Sequence, residues 1–122
     1  MRIRPFQGLR PTPESAPRIA SPPYDVVTTE EARQLAAGNP LSMLRVVRAE
    51  IDFPPGTDPS GPPVYARAVA NFRALADAGH LVREPHPCLY LYQLQRAGHA
   101  QQGIVAVCHV DDYAAGRIRR HE

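Results

Sequence analysis

A pair of prolines near the start of the chain constrains its fold more than any other feature. Pro22 and Pro23 fix two successive φ angles at about −65° and favour an extended conformation at Ser21. Tyr24 and Asp25 are therefore predicted to lie on a stiff, non-helical stretch just before a helix signal. An aromatic hydroxyl and a carboxylate at such a tip are typical of a ligand-facing loop, although the same stretch suits a domain edge equally well.

Two helices are predicted from local patterns. The first begins at Thr28, because Thr28 and Glu31 have the spacing of a capping box, and it ends near Gly38. The second covers residues 63–78 and ends at Gly79. Its apolar stripe is interpreted as core rather than as a cofactor-binding face. The stripe consists of Val64, Ala68, Phe72 and Leu75, widened by Tyr65, Val69 and Ala76.

The segments before the second helix are otherwise predicted to be extended or irregular. Ile3 anchors a short strand, residues 19–20 form a second extended piece, and residues 41–51 form a strand with alternating apolar positions. Residues 52–63 are rich in Pro, Gly, Asp and Ser, which predicts a surface loop.

A β-hairpin is predicted after the second helix. Its strands are residues 88–95 and 104–110, joined through a two-residue turn at Ala97-Gly98. Apolar residues on both faces predict a central strand pair that is covered on each side. A turn at residues 111–113 and a further strand beginning at residues 117–120 complete the chain.

This order of elements predicts an α+β fold with a mixed or antiparallel sheet and two main helices, in one segment over residues 1–122. The formal net charge of +2 is too small to indicate a nucleic-acid partner by itself. The first thirty residues contain no apolar run, so neither a signal peptide nor a membrane span is expected. These features favour a cytoplasmic protein without a membrane partner.

Two histidines and two cysteines could form a zinc site on neighbouring predicted strands. His86 and Cys88 would lie on a strand next to Cys108 and His109, but the pairs lack the spacing of a zinc site. Adjacent residues on a strand also point to opposite faces, so no metal site is predicted. Cys88 is expected opposite Val107 rather than Cys108, and both cysteines are expected to be buried free thiols.

The last residues of the chain combine an acid and an imidazole. His121 and Glu122 follow a basic segment, where a carboxylate can act as a base or orient a hydroxyl. On spacing alone, a solvated chain end is the better interpretation of this pair.

Several motifs together resemble one known family along the whole chain. They are Ile3-x-Pro5-Phe6-x-Gly8-Leu9-Arg10-Pro11, Pro22-Pro23-Tyr24-Asp25-Val26, Gly38-Asn39-Pro40-x-Ser42, Tyr90-x-Tyr92, Gly103-Ile104-Val105, Val110-Asp111-Asp112-Tyr113 and His121-Glu122. In this order they resemble the bacterial and archaeal family called domain of unknown function 1015. Members of that family are longer and later carry Asp-Gly-His-His-Arg, so the chain is expected to be an N-terminal part that is catalytically silent alone.

The combination of His-Glu with a later Asp-Gly-His-His-Arg is similar to the ParB-like free serine kinases. That resemblance implies that Glu122 is the base or hydroxyl-orienting group and that His121 is its neighbour in the pocket. Tyr24 and Asp25 are predicted to contact the substrate, and Arg45 to contact a phosphate or carboxylate. The resemblance also implies serine as a substrate and ATP or ADP with Mg²⁺ in the full-length protein, with no cofactor held by this segment alone.

Two alternatives to a phosphotransferase stay open at this point. The ParB-like superfamily includes nucleotide-dependent DNA-binding proteins, which suggests a nucleotide- or DNA-binding module. Low net charge and the lack of a basic helix count against nucleic acid as a partner. The other alternative is an interaction domain without chemistry.

Overall fold

The computed structural model describes residues 1–119 and shows an α+β arrangement. Its first half contains β1 (Ile3–Arg4), β2 (Leu9–Pro11), α1 (Ala16–Ile19), a 3₁₀ turn (Tyr24–Val26), α2 (Thr29–Leu35), α3 (Leu44–Val47) and a second 3₁₀ turn (Ala49–Asp52). Its second half contains α4 (Pro62–Asp77), β3 (Leu81–Arg83), β4 (Tyr90–Arg96), β5 (His99–Val105), β6 (Val107–Cys108) and α5 (Val110–Ala114). The predicted fold class is confirmed. None of these helices is long and apolar enough to span a membrane.

The strands of the described residues form three two-stranded sheets: β1 with β6, β2 with β3, and β4 with β5. The described residues therefore form three separate sheets rather than a single mixed sheet. The chain divides into two compact units. Unit one consists of Met1–Leu9 and the described residues from Arg83 onward, and unit two consists of Arg10–Val82.

The core of unit two consists of two small apolar clusters. One contains the buried residues Ala32, Ala36, Leu44 and Ile51, with Val27 packed against them. The other contains the buried residues Ile19, Leu75 and Leu81, with Leu41, Met43 and Val46 packed against them. Helix α3 contributes to both clusters, so it lies at the centre of this unit.

Helix α2 begins as its sequence predicts. The Thr28 hydroxyl accepts a hydrogen bond from the Glu31 amide at 3.2 Å, and the Glu31 carboxylate accepts one from the Thr28 amide at 2.7 Å. This capping box satisfies two amides that have no partner within the helix. The hydrogen bond from the Thr28 amide is the main reason that the pKa of Glu31 lies below its ordinary value.

The long helix α4 also has the predicted extent and the predicted end. Gly79 adopts φ +78°, and the amide of His80 donates to the Leu75 carbonyl at 2.9 Å, which is the Schellman arrangement. Leu75 and Leu81 belong to one core cluster, so the chain folds back towards the helix after this cap. The interpretation of the apolar stripe as core is correct for Val64 and Leu75 but wrong for Tyr65, Val69 and Phe72, which are exposed.

The strand predicted over residues 41–51 is wrong, because this segment forms α3 and a 3₁₀ turn. In a helix, residues two apart point to nearly opposite sides. Leu44 packs in the cluster with Ile51, and Val46 packs in the cluster with Leu75. A helix that is buried on two sides therefore shows the same apolar alternation as a strand. The Ser42 hydroxyl accepts a hydrogen bond from the Leu44 amide at 3.3 Å and supports the first turn.

The extended piece predicted at residues 19–20 is also wrong. Ile19 ends α1, a short helix with Pro17 in its first turn, where proline is tolerated because that position lacks an intrahelical amide partner. Ile19 is buried in the cluster with Leu75. Burial of one apolar side chain, rather than local propensity, accounts for this helix.

The hairpin of unit one has the predicted turn. Ala97 and Gly98 both adopt positive φ, 47° and 82°, as a two-residue type I′ turn requires. Leu91 lies directly opposite Ile104, and their side chains are 72% and 68% exposed. The prediction that both faces of the hairpin are covered is therefore wrong for the residues that the structure describes.

The strand pairing around the cysteines differs from the prediction as well. Cys88 bridges to Phe6, and Cys108 pairs with Ile3, so Cys88 does not lie opposite Val107. Both cysteines are free thiols, as predicted, but Cys108 is exposed and Cys88 only partly buried. The expectation that both are buried is wrong, since Cys88 makes only an isolated bridge and Cys108 lies on a two-residue strand.

The last described residues form a short helix instead of a turn and a strand. Residues 111–113 lie within α5, and residues 117–119 do not adopt strand structure. The amide of Arg117 donates to the carbonyl of Asp112 at 2.9 Å, which turns the chain back against the helix.

Candidate functional site

The predicted substrate contacts Tyr24 and Asp25 lie together on the first 3₁₀ turn. Pro23 is extended, with φ −55° and ψ 142°, and the amide of Val26 donates to the Pro23 carbonyl at 3.3 Å. The stiff proline segment therefore ends at Pro23, before Tyr24 and Asp25, and the expected non-helical conformation of these two residues is wrong. Both side chains are exposed to solvent. Their role as substrate contacts stays a prediction.

A shallow cavity of about 360 Å³ begins two residues after Asp25 in the sequence. It is lined by Val27, Glu31, Gln34 and Leu35, which place one face of α2 along it. The Glu31 carboxylate already accepts the hydrogen bond from the Thr28 amide in the capping box. The Gln34 amide nitrogen donates to the Glu30 carboxylate at 3.2 Å, so this cavity offers apolar surface rather than a cluster of reactive groups.

Arg45, the third predicted substrate contact, lies inside a polar network of unit two. Its Nε donates to the Asn39 carbonyl at 3.0 Å and its Nη2 to the Ala36 carbonyl at 2.9 Å, while Nη1 forms an ion pair with Asp52. Asn71 donates to the other Asp52 oxygen at 2.9 Å and to the Arg45 carbonyl at 2.6 Å. The side chain of Arg45 is only 27% exposed, and all three of its nitrogens have partners.

Two more arginines of unit two bind main-chain oxygens in the same way. Arg33 donates to the carbonyls of Ile51 and Phe53 at 2.5 and 3.1 Å, and Arg48 donates to the carbonyl of Val27 at 2.7 Å. Carbonyls at the ends of short helices and turns lack partners within the element. These arginines supply the missing donors, so they hold the fold together. No hydrogen bond or ion pair joins Arg45 to Tyr24 or Asp25 within residues 1–119.

Unit one contains a larger, cationic cleft that sequence reasoning missed. Its volume is about 800 Å³, and it is lined by Met1, Arg2, Ile3, Arg4, Val107, Cys108, His109 and Val110. The antiparallel pairing of β1 with β6 brings these two segments together. Arg4 and Arg2 carry fixed positive charge, and His109 carries one when protonated. In the sequence, Arg2 and Arg4 alternate around Ile3, and so short an alternation can arise by chance. It therefore does not indicate a cleft.

A buried carboxylate lies next to this cleft. The side chain of Asp112 is 1% exposed, and it accepts hydrogen bonds from the Arg2 amide at 2.6 Å and from Arg2 Nη2 at 2.9 Å. Arg117 Nη1 is 3.2 Å from the same carboxylate. The Arg2 side chain holds the pKa of Asp112 well below its ordinary range, the Arg2 amide adds to this, and burial opposes it. The same hydrogen bond raises the pKa of Arg2.

We expect Asp112 to make the stability of unit one sensitive to acid. Its pKa is lower in the folded state than the value of about 3.9 in an unfolded chain, so its contribution is full above that value and is lost as the pH falls below it. The urea midpoint of unit one, followed by amide resonances of β1 and β6, should therefore drop between about pH 5 and pH 2.

The matched variant for this measurement is Asp112→Asn, which should show a flatter pH profile than the wild type. Glu31 also has a lowered pKa, so Glu31→Gln serves as the control and should flatten the profile of unit two only. Parallel pH profiles of the wild type and Asp112→Asn would contradict the assignment of this acid sensitivity to Asp112.

The remaining predicted site residues do not assemble into a metal or catalytic centre among the described residues. Within residues 1–119, no three His, Cys, Asp or Glu side chains lie close enough together to hold a metal ion. The predicted catalytic pair, His121 and Glu122, lies outside the described residues. Tyr24 and Asp25, which are neighbours in the sequence, share one 3₁₀ turn, and Arg45 lies in the framework of unit two.

Comparison with known proteins gives one match. The family model described as "Protein of unknown function (DUF1015)" matches residues 3–122, which is nearly the whole chain. Searches of curated proteins and of solved structures found no match. The motif resemblance to this family is confirmed, and the chain belongs to the DUF1015 family.

Proposed function

We propose that this chain is part of a phosphotransferase that acts on the hydroxyl group of a small molecule such as serine. The observation that carries the proposal is the cationic cleft of unit one, which presents Arg4 and His109 to solvent beside a short sheet. Phosphoryl transfer depends mainly on positioning and on stabilising negative charge, so a basic cleft suits it. The resemblance of His121-Glu122 to the serine-kinase pair supplies the candidate acid–base group.

The proposed reaction transfers one phosphoryl group to the substrate hydroxyl. The substrate hydroxyl oxygen attacks the terminal phosphorus of ATP or ADP, and a new oxygen–phosphorus bond forms. The bond from that phosphorus to the bridging oxygen breaks, and ADP or AMP leaves with the electron pair. The Glu122 carboxylate accepts the hydroxyl proton, which is the role of a general base.

The cationic side chains of the cleft differ in whether a carboxylate of the protein already pairs with them. Arg2 is engaged with Asp112, whereas Arg4 has no such carboxylate partner among the described residues. His109 has the Asp111 carboxylate at 3.4 Å from its Nδ1. Arg4 is therefore the first candidate for a phosphate contact, because a guanidinium can bind phosphate through two hydrogen bonds. Residues 1–119 supply no carboxylate cluster for Mg²⁺, so no step is assigned to that ion here.

The test uses the full natural polypeptide with L-serine and either ATP or ADP. Formation of phosphoserine is followed by phosphorus NMR. We expect Glu122→Gln to lower turnover by about 100-fold or more, because the amide cannot accept the hydroxyl proton.

Glu14→Gln is the matched control, since Glu14 is an exposed residue of unit two and should keep wild-type turnover. Absence of phosphoserine with the wild type would refute the proposed activity. Wild-type turnover in Glu122→Gln would refute the role of Glu122 alone.

A non-catalytic interaction domain is the second candidate, and one observation favours it. The hairpin β4–β5 exposes apolar side chains on both faces, including Leu91, Leu94 and Ile104. Exposed apolar surface of this kind is typical of contact with another protein element. This candidate gains support if the wild type produces no phosphoserine.

A further inference from the structure

The imidazole of His109 borders the cationic cleft of unit one and also caps the first turn of α5. We propose that His109 binds an oxygen of a phosphate group in this cleft as a neutral hydrogen-bond donor, through Nε2, next to the positive charge of Arg4. The inference deepens the proposed phosphotransferase function and rests on it for the identity of the anion. It concerns described residues alone and needs neither His121 nor Glu122.

The pairing of β1 with β6 places three basic side chains on one face of a two-stranded ribbon. Arg4 pairs with Val107. Two positions away in the same register, the amide of His109 donates to the Arg2 carbonyl at 3.2 Å. Opposite residues of an antiparallel pair share a face, and alternate residues of a strand return to it. Arg2, Arg4 and His109 therefore lie on the same side of the ribbon, and one tetrahedral anion can contact more than one of them.

The two arginines of this face differ in the charge that they present. Arg2 donates to the buried carboxylate of Asp112 through its amide, Nε and Nη2, so its charge is compensated there. The guanidinium of Arg4 has no hydrogen bond or ion pair with another group of residues 1–119. Arg4 therefore keeps its charge and its donors for an anionic ligand, and a guanidinium can bind a phosphate group through two hydrogen bonds.

The capping contact of His109 determines which ring nitrogen carries the proton. Nδ1 accepts a hydrogen bond from the Asp111 amide at 3.3 Å. A main-chain amide can only donate, so the neutral ring that makes this contact has its proton on Nε2. The side chain of His109 is 40% exposed and lines the cleft, so Nε2–H is available to an oxygen of a bound anion.

Two carboxylates lie near this face, and neither cancels the arrangement. Asp112 is compensated by Arg2 and by Arg117 Nη1 at 3.2 Å. The carboxylate of Asp111 lies 3.4 Å from Nδ1 of His109 and is 74% exposed, so water screens its attraction for a protonated ring. A protonated Nδ1 cannot accept from the Asp111 amide, so the cap favours the neutral ring.

Two amide side chains separate the role of Nε2 from the role of Nδ1. Asparagine is a preferred N-cap residue, and its short side chain can accept from the Asp111 amide without extending to the position of Nε2. Glutamine is longer and carries an NH₂ donor near the position of Nε2. His109→Asn should therefore keep α5 and weaken anion binding, whereas His109→Gln should keep anion binding.

The test measures sulfate binding by the full natural polypeptide at about pH 8, where an ordinary imidazole is neutral. Sulfate is a tetrahedral dianion with a fixed charge in this range, and the amide resonances of β1 and β6 report its binding. We expect the dissociation constant to rise about tenfold in His109→Asn and in Arg4→Met, and to stay within about threefold of the wild type in His109→Gln. Arg96→Met removes the same charge from an exposed position of β4 and should change the constant less than about twofold.

Two further measurements identify the proton and the ligand. Nitrogen NMR of the His109 ring should show the proton on Nε2 in the wild type. Competition of sulfate with ATP or ADP, and separately with O-phospho-L-serine, distinguishes a nucleotide phosphate from the phosphate of the product. Displacement by either one supports the proposal, and displacement by neither overturns the assignment of the cleft to a phosphate group.

The remaining outcomes separate this inference from the proposed function. It is overturned by a ring proton on Nδ1, by wild-type sulfate affinity of His109→Asn, or by weak binding in His109→Gln when the α5 resonances are unchanged. Sulfate binding as expected in a protein that makes no phosphoserine refutes the proposed function and leaves the anion site standing. Phosphoserine formation without saturable sulfate binding does the reverse. If His109→Asn disturbs α5, the ring spectrum and Arg4→Met decide the question.

Discussion

Replacing Leu44 with alanine is expected to lower the free energy of unfolding of unit two by about 3 kcal/mol or more. Leu44 is 1% exposed and packs against Ala32, Ala36 and Ile51. Two of these neighbours are alanines, which have no flexible side chain to move into the space that the substitution leaves. The cavity should therefore persist, and a persistent cavity costs more than the lost transfer free energy alone. Urea denaturation followed by far-UV circular dichroism measures this change.

Leu35→Ala provides the matched control for Leu44→Ala. Leu35 belongs to the neighbouring helix α2, undergoes the same chemical change, and is 55% exposed. Its replacement should change the free energy of unfolding by only about 0.5 kcal/mol, as at other exposed positions. Equal effects of the two substitutions would contradict the placement of α3 between the two core clusters.

Replacing Arg45 with methionine is the second change with a large expected effect. The substitution leaves Asp52 without its cation and removes the hydrogen bonds that Arg45 donates to the carbonyls of Ala36 and Asn39. Each buried acceptor that loses its partner carries a desolvation cost, and an ion without its counter-ion carries more. We expect a loss of about 3 kcal/mol in the free energy of unfolding of unit two, measured by urea denaturation.

Two further variants serve as the control and as the conservative replacement of Arg45. Arg73→Met makes the same change at an exposed position of α4 and should have little effect on stability. Arg45→Lys keeps the charge but loses the fork of donors, so its stability should fall between the wild type and Arg45→Met. Wild-type stability of Arg45→Met together with weaker binding of serine or nucleotide would instead support Arg45 as a substrate contact.

The features that were correctly predicted all depend on residues close together in the sequence. The capping box joins Thr28 to Glu31, the end of α4 is determined by Gly79 and its neighbours, and the hairpin turn by Ala97 and Gly98. Each of these hydrogen-bonded or positive-φ arrangements closes within about five residues. Tertiary packing has little opportunity to override such signals, so they could be predicted without a structure.

The features that were wrongly predicted depend on what covers a segment. The apolar alternation of residues 41–51 is compatible with a strand that has one covered face and with a helix buried on two sides, and only packing distinguishes them. The hairpin shows apolar residues on both faces, yet the described residues do not cover them. Hydrophobic periodicity reports which residues favour burial, and it does not report whether a partner element is present.

The candidate site divides in the same way. Tyr24 and Asp25 could be proposed from the sequence because a rigid proline pair precedes them. The cleft and the buried Asp112 beside it could not be predicted from the sequence. Arg2 and Asp112 are separated by 110 positions and meet only through the pairing of β1 with β6. Two-residue strands have almost no sequence signature, so no pattern indicates that these segments are neighbours.

Local sequence signals are sufficient to locate the ends of the main helices and the hairpin turn, and the motifs along the chain indicate its family. Long-range packing makes residues 41–51 helical, places Arg45 in the framework of unit two, and buries the Asp112 carboxylate against Arg2. The physical reason is the range of the interactions involved. Caps and turns are closed by neighbouring residues, whereas burial and ion pairing are decided by whichever distant segment packs against the side chain.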